Sequence, residues 1–194
     1  MIGGGRTGPR RSLPAAVRTA LVLLAAISLA ACTTVPTLDR AVLGEAISGR
    51  MALRVEASEK EPARAFAAAF DLRGSPRTGV LALSTPLGST LAQARWQPAE
   101  VVLVTPNGIR TFASLDELTR NLLGESVPVE AWFDWLRGRP WPGAPSAPAP
   151  ADVASGFVQQ GWTVDLAGFA DGSVSATRAQ PAPVVTVRIR LDGH

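Results

Sequence analysis

The sequence predicts a mainly β domain of the α+β class: antiparallel strands joined by short turns, with a pair of helices inserted midway. Three observations lead there. Stretches such as 47–56 and 184–191 alternate apolar and polar residues with a period of two. Clusters of Pro, Gly, Asn and Ser punctuate the chain at short intervals. Between 114 and 138 the apolar spacing changes to that of helices, framed by capping residues. There is no internal repeat and no sign of a second domain.

The chain opens on a leader. Arg6, Arg10, Arg11 and Arg18 precede an almost wholly apolar run from Ala20 to Ala31, and no acid lies among them. The run is too short and too Ala-rich for a permanent bilayer-spanning helix and reads as a secretory signal. It closes on Leu29-Ala30-Ala31-Cys32, and Cys32 is the sole cysteine. A leucine three positions before a cysteine, with alanines between, resembles the lipobox of bacterial lipoproteins; the alternative is an ordinary signal peptide with an incidental cysteine. A single unpaired cysteine at this place has no other evident use. The lipobox reading implies that residues 1–31 are removed and that Cys32 becomes an N-acylated, diacylglyceryl-bearing N-terminus. Residues 32–45 then form the lipidated terminus and tether, and residues 46–194 the domain. Thr33 follows the cysteine. In lipoproteins of this kind an Asp there commonly retains the protein in the inner membrane, so Thr33 allows export to the outer one.

Removing the leader takes four arginines and no acids, leaving 15 basic and 16 acidic residues. The mature chain is close to neutral, so the basic balance of the whole sequence does not indicate a nucleic-acid partner. Its 163 residues suffice for one core. With Cys32 acylated no thiol remains for a disulfide or a metal, and the one histidine is the last residue, His194. A Ser-His-acid triad therefore lacks its base, and neither a phosphate loop nor a metal-ligand spacing occurs. Glu59 with Glu61 falls in a polar turn and Asp116 with Glu117 in a helix's first turn, where solvation and capping explain them. The expectation is a protein without catalytic activity, metal or cofactor.

Taken in order, Thr33–Leu38 carries Pro36 and lacks periodicity, as a tether should. Ile47–Glu56 is a strand with Ile47, Gly49, Met51, Leu53 and Val55 on one face and Ser48, Arg50, Arg54 and Glu56 on the other. Residues 58–62 turn. Ala63–Arg73 is ambiguous. Pro62, the alanines and the Phe66/Phe70 spacing suit a helix, whereas Phe66, Ala68, Phe70 and Leu72 would share one face of a strand. Gly74–Arg77 turns into Thr78–Ser84, paired with Thr90–Trp96. Pro86 and Gly88 make the turn between them and put Leu87 near its tip. A leucine there either folds back onto a neighbouring loop or stands in solvent.

Val101–Thr105 and Gly108–Phe112 form a hairpin about Pro106-Asn107-Gly108. A helix opens at Ser114, with Glu117 at capping-box spacing, and stops at Gly124; Leu115, Leu118, Leu122 and Leu123 are its stripe. A second helix has Pro128 in its first turn and Gly138 as its stop. Val129, Trp132, Phe133 and Leu136 form its stripe, with Trp135 at the edge. Such an aromatic stripe packs a core more often than it lines a site. Pro140–Pro150 reads as an exposed, loosely ordered loop. Gly156–Gln160 and Trp162–Phe169 are strands about Gly161, Asp171-Gly172 is a turn, and Val184–Leu191 closes the sheet. A sheet with helices on one face can leave an apolar cavity between them, the usual form of a lipid site.

The order of Gly49-Arg50-Met51-Ala52-Leu53-Arg54 and Ser84-Thr85-Pro86-Leu87-Gly88 resembles the LolB family of outer-membrane lipoprotein receptors. So do Leu122-Leu123-Gly124 with Val127-Pro128-Val129, Trp135-Leu136-Arg137-Gly138, Gln160-Gly161-Trp162 and Arg188-Ile189-Arg190-Leu191. The likeness runs in order over nearly the whole mature chain. One departure is that this chain stops soon after its last strand, where family members often continue to a further Trp. The resemblance implies a single curled antiparallel sheet forming an unclosed half-barrel, its helices capping an apolar cavity, and it favours strand for 63–73.

It further implies a monomer held by its lipid on the periplasmic face of the outer membrane of a Gram-negative cell. Such a receptor accepts cargo lipoproteins from the periplasmic carrier LolA and inserts them into the inner leaflet. Pro86, Leu87 and Gly88 match the loop that this family uses to engage membrane lipid. Trp135 and Trp162 match cavity-side aromatics, and Phe70 stands where relatives often carry Trp. Phe66, Trp132, Phe133 and Leu136 join them as expected cavity positions. Two rivals remain at this level: a lipoprotein that binds free lipid without protein cargo, and a structural assembly lipoprotein with a filled core.

Overall fold

The computed structural model describes residues 43–59 and 61–193; the leader, Cys32 and most of the tether lie outside the described residues. The elements are β1 (Ile47–Val55), β2 (Arg64–Gly74), β3 (Gly79–Ser84), β4 (Thr90–Gln97), β5 (Glu100–Thr105), β6 (Gly108–Phe112), α1 (Leu115–Leu123), α2 (Val129–Trp135), β7 (Ser146–Pro148), β8 (Gly156–Gln159), β9 (Trp162–Asp165), β10 (Ser173–Arg178) and β11 (Val185–Leu191). A short 3-10 turn, Phe169–Asp171, precedes β10.

All eleven strands form one antiparallel sheet in the order β6-β5-β4-β3-β2-β1-β11-β10-β9-β8-β7. Two meanders, β1–β6 and β7–β11, are thus zipped together by the first and last strands of the domain. Their register runs from Gly49 opposite Leu191 to Val55 opposite Val185. Gly49 is required there, because a Cβ on it would sit 2.2 Å from the Arg190 carbonyl oxygen. The edges β6 and β7 do not pair, so the sheet is an open half-barrel, as expected.

Inward positions alternate strictly along β1 (Met51, Leu53, Val55) and β11 (Val185, Val187, Ile189, Leu191), and all are buried. Residues 64–74 resolve as strand: Ala68, Phe70 and Leu72 are buried, while Ala65 and Ala67 lie on the exposed face. Tertiary pairing on both sides overrides the helical propensity of the alanines.

The helix pair joins the two meanders in the chain, and α1 packs against β5, β6 and α2. Ser114 caps α1 by accepting the Glu117 N–H at 3.1 Å, and the Glu117 carboxylate accepts the Ala113 N–H at 2.7 Å. Gly124 ends α1 at φ +75° and returns its N–H to the Arg120 carbonyl; a Cβ there would also press on the Arg64 guanidinium.

Several expectations need correction. Trp135, at the edge of the α2 stripe, is nonetheless only 2 % exposed, because α2 is walled on several sides and Ala131, Trp132, Phe133 and Asp134 are buried with it. The loop 140–150 is not loose. It contributes the edge strand β7, and the Gln159 side chain pins it. Strand β10 escaped the sequence reading, since Ser-Val-Ser-Ala-Thr-Arg offers only small residues on its inward face before Arg178. The strand expected over 162–169 stops at Asp165.

Candidate functional site

A cavity of about 380 Å³ lies under α1 on the β1–β6 side of the sheet, within the size range of small-molecule pockets. Its floor comes from the strands: Met51 and Leu53 on β1, Phe66 on β2, Leu81 and Leu83 on β3, Leu91, Ala92 and Ala94 on β4, and Leu103 on β5. Its roof comes from the α1 stripe, Leu115, Leu118, Leu122 and Leu123, continued by Val127, Val129 and Trp132.

The one polar lining residue is neutralised by its own helix. The Thr119 hydroxyl donates to the Asp116 carbonyl at 3.2 Å and accepts the Val127 N–H at 3.2 Å. No charged side chain lines the space. Such a wall offers dispersion contacts and freedom from water, and no directional bond.

A bulge in the β3/β4 ladder enlarges the wall. Leu83 pairs with Ala92 and Ser84 with Thr90, which leaves Leu91 as the extra residue. Strict alternation from Ala94 and Trp96 would send Leu91 outward; the bulge lets both Leu91 and Ala92 reach the cavity. Leu83 and Leu91 are partly exposed and Leu122 is 45 % exposed, so the cavity opens at this end.

The turn that carries Leu87 sits at that opening, with Leu83 and Leu91 each four residues from its tip. It is tightly bonded. Thr85 N–H donates to the Ser89 carbonyl and Gly88 N–H to the Thr85 carbonyl, both at 2.9 Å, while Thr85 Oγ1 accepts from Ser89 N–H at 3.1 Å. Gly88 takes φ +86°. Pro86 and Gly88 are exposed, and the Leu87 side chain is 96 % exposed, so it does not fold back on any neighbouring loop. A large apolar side chain held fully in water by a closed turn invites a partner surface.

Of the expected cavity residues, Phe66 and Trp132 line this space. Phe70, Phe133, Trp135, Leu136 and Trp162 do not; they are packed into the buried core. Phe133 meets Trp96 edge-on at 6.1 Å, and Trp135 packs against Phe157 at 6.3 Å and Trp162 at 6.5 Å. The Trp135 indole N–H donates to Gln159 Oε1 at 2.7 Å. Gln159 Oε1 also accepts the Trp141 N–H, and its Nε2 donates to the carbonyls of Trp141 and Ala144. Arg178 is ion-paired with Glu125 and lies 5.8 Å over the Trp162 ring. The lining leucines of β3, β4 and α1 were not expected at a cavity: those of α1 read as an apolar helix stripe, and such helical or alternating spacing marks core equally well.

Glu130, at the start of α2, edges a separate depression with Pro76, Arg77 and Pro98. Burial raises its carboxyl above the ordinary value of 4.5. Among the described residues no group of three or more His, Cys, Asp or Glu could hold a metal ion, and no helix is long and apolar enough to cross a membrane.

The family model described as outer membrane lipoprotein LolB matches residues 46–192. Curated relatives agree. The outer-membrane lipoprotein LolB of Bordetella petrii is 32% identical over 172 residues, covering 84% of this chain and 86% of the relative. That of Bordetella pertussis is 35% identical over 181 residues, 88% of each, and that of Chromobacterium violaceum 28% identical over 162 residues. An open eleven-stranded half-barrel, an apolar chamber under a helix pair and a match over almost the whole described region place this chain in the outer membrane lipoprotein LolB family.

Proposed function

We propose that this protein is an outer-membrane-anchored receptor that takes lipoproteins from the soluble carrier LolA into its cavity and releases them into the inner leaflet of the outer membrane. The observation that carries the reading is the uncharged cavity of about 380 Å³, roofed by α1. Each CH₂ of an acyl chain left in water forgoes about 0.8 kcal/mol, so acyl-bearing cargo must pass from one apolar chamber to another. A chamber without directional bonds suits such cargo, since it grips methylenes of any lipoprotein and lets them slide out again. The same chamber argues against a structural lipoprotein with a filled core.

Direction needs no bond chemistry. Cargo moves down a series of affinities from carrier to receptor to bilayer, each step set by differential binding. The roof is anchored on the packed side, where Glu125, just beyond α1, is ion-paired with Arg178 of β10. Leu87 stands at the opening, where shallow entry into lipid would bring the cavity mouth to the membrane. Lipidation of Cys32 would keep the domain at that surface.

The test is transfer of a radiolabelled lipoprotein from purified LolA to the unacylated chain 33–194, followed by delivery into liposomes. The reading expects transfer without ATP, and Leu87→Glu is expected to accept cargo normally while failing to deliver it. Uptake of free lipid with no transfer from LolA would shift the function to lipid binding without protein cargo.

A further inference from the structure

We propose that the outward face of β1 and β11 is a docking surface for the phosphate-bearing headgroups of an anionic lipid bilayer, with Arg50, Arg188 and Arg190 as its contacts. The proposal rests on the membrane reading of the Leu87 turn and adds a second, electrostatic contact to it. Arg50 of β1 stands directly opposite Arg190 of β11, and Arg188 stands opposite Ala52 between Arg50 and Arg54. Arg50, Arg54, Arg188 and Arg190 are all exposed. Like charges facing each other across a ladder destabilise a sheet, so this pair opposes folding.

Acids do not relieve it. Glu56 is taken by Arg54 at 2.8 Å and Asp71 by Arg73 at 2.7 Å. Among the described residues Arg50 and Arg188 have no ion pair, and Arg190 has none with nearby Asp192; it reaches only Ser173 Oγ, at 3.5 Å. A near-neutral mature chain has gathered unpaired arginines on one face. Their neighbours on that face are Ala52, Ala67, Ala69, Ser173 and Ser175, which stand too low to keep a flat surface away.

Placement favours a bilayer. Arg50 pairs with Ala69, and Ala69 with Ser84, the residue before the Leu87 turn. The face and the turn therefore share one cross-strand row, about 10 Å apart at the usual strand spacing. Planar guanidinium forks match phosphate oxygens.

Every residue of the core lies between Ile47 and Leu191, so residues 33–194 hold the whole fold and can be tested unacylated. Co-sedimentation with phosphatidylethanolamine/phosphatidylglycerol vesicles, with no carrier or cargo present, reads the docking surface independently of lipoprotein transfer. The triple variant Arg50→Gln, Arg188→Gln, Arg190→Gln should lose affinity about a hundredfold at low salt, from roughly a fivefold loss per arginine near an anionic surface. High salt should erase the difference. The corresponding Arg→Lys triple should retain most of the binding, and the Gln triple should melt no lower than wild type because a like-charge pair is gone. Unchanged vesicle affinity in the Gln triple overturns the proposal. If that variant keeps vesicle affinity but loses uptake from LolA, the face belongs to the protein carrier and the membrane assignment fails.

Discussion

The two meanders share one sheet and one alternation of inward residues, yet they end in opposite states. On the β7–β11 side the inner face is filled: Trp135, Phe157 and Trp162 interlock, and Gln159 uses both ends of its amide to bind the indole and the backbone of Trp141 and Ala144. On the β1–β6 side the facing side chains are mostly leucine and alanine, and a cavity stays between them and α1. The difference teaches that residue size and polar satisfaction, more than hydrophobicity, decide where such a sheet stays open. Aromatics with a hydrogen-bonding handle lock one half as scaffold. Aliphatic side chains without a hydrogen-bonding handle leave the other half adaptable.

Substitutions should separate the halves. The largest effect belongs to Trp135→Ala, which removes a fully buried indole and orphans part of the Gln159 network. A loss of about 3–5 kcal/mol in denaturant unfolding is expected. Leu91→Ala, on the partly exposed cavity wall, should cost only about 1 kcal/mol, since the space beside it is already open. If the two costs were equal, the contrast between scaffold and chamber would fail. Ala92→Phe should fill the chamber, leaving Tm within a few degrees of wild type while cutting uptake of an apolar dye such as bis-ANS severalfold.

The smallest effect is electrostatic. Glu130 is held above its ordinary 4.5 by burial, so the folded state binds that proton more tightly than the unfolded chain does. Stability from this group is then present below about pH 4.5 and is lost as pH rises through the folded pKa. Glu130→Gln should raise Tm at pH 7 and leave it unchanged near pH 4, by thermal melts at the two pH values.

Much of this architecture was legible in the sequence, because period and punctuation are local. Ile47–Val55 and Val185–Leu191 announced their inward faces, Ser114 and Glu117 announced the helix start, and Pro86-Leu87-Gly88 announced a turn with the leucine near its tip, though not whether that leucine folds back or stands in solvent. What stayed hidden depends on neighbours distant in sequence. Strand β10 is held by pairing with β9 and β11 rather than by its own composition. Trp135 sits at the margin of its helical stripe, and it packs against Phe157 of β8 and Trp162 of β9, which lie far from it in sequence. Phe70 and Trp162 were expected at the cavity with Phe66 and Trp132, because an apolar side chain reads the same whether a partner or a void faces it. The bulge that turns Leu91 inward has no sequence mark of its own.

The central claim is that acyl chains enter the β1–β6 chamber and not the packed half. Quenching of tryptophan emission by a brominated palmitate tests it directly, because Trp132 lines the chamber while Trp135 and Trp162 lie in the packed cluster. Quenching is expected in wild type and in Trp162→Phe, and is expected to be lost in Trp132→Phe. Quenching that survives Trp132→Phe and disappears in Trp162→Phe would put the acyl chain in the wrong half and contradict the claim.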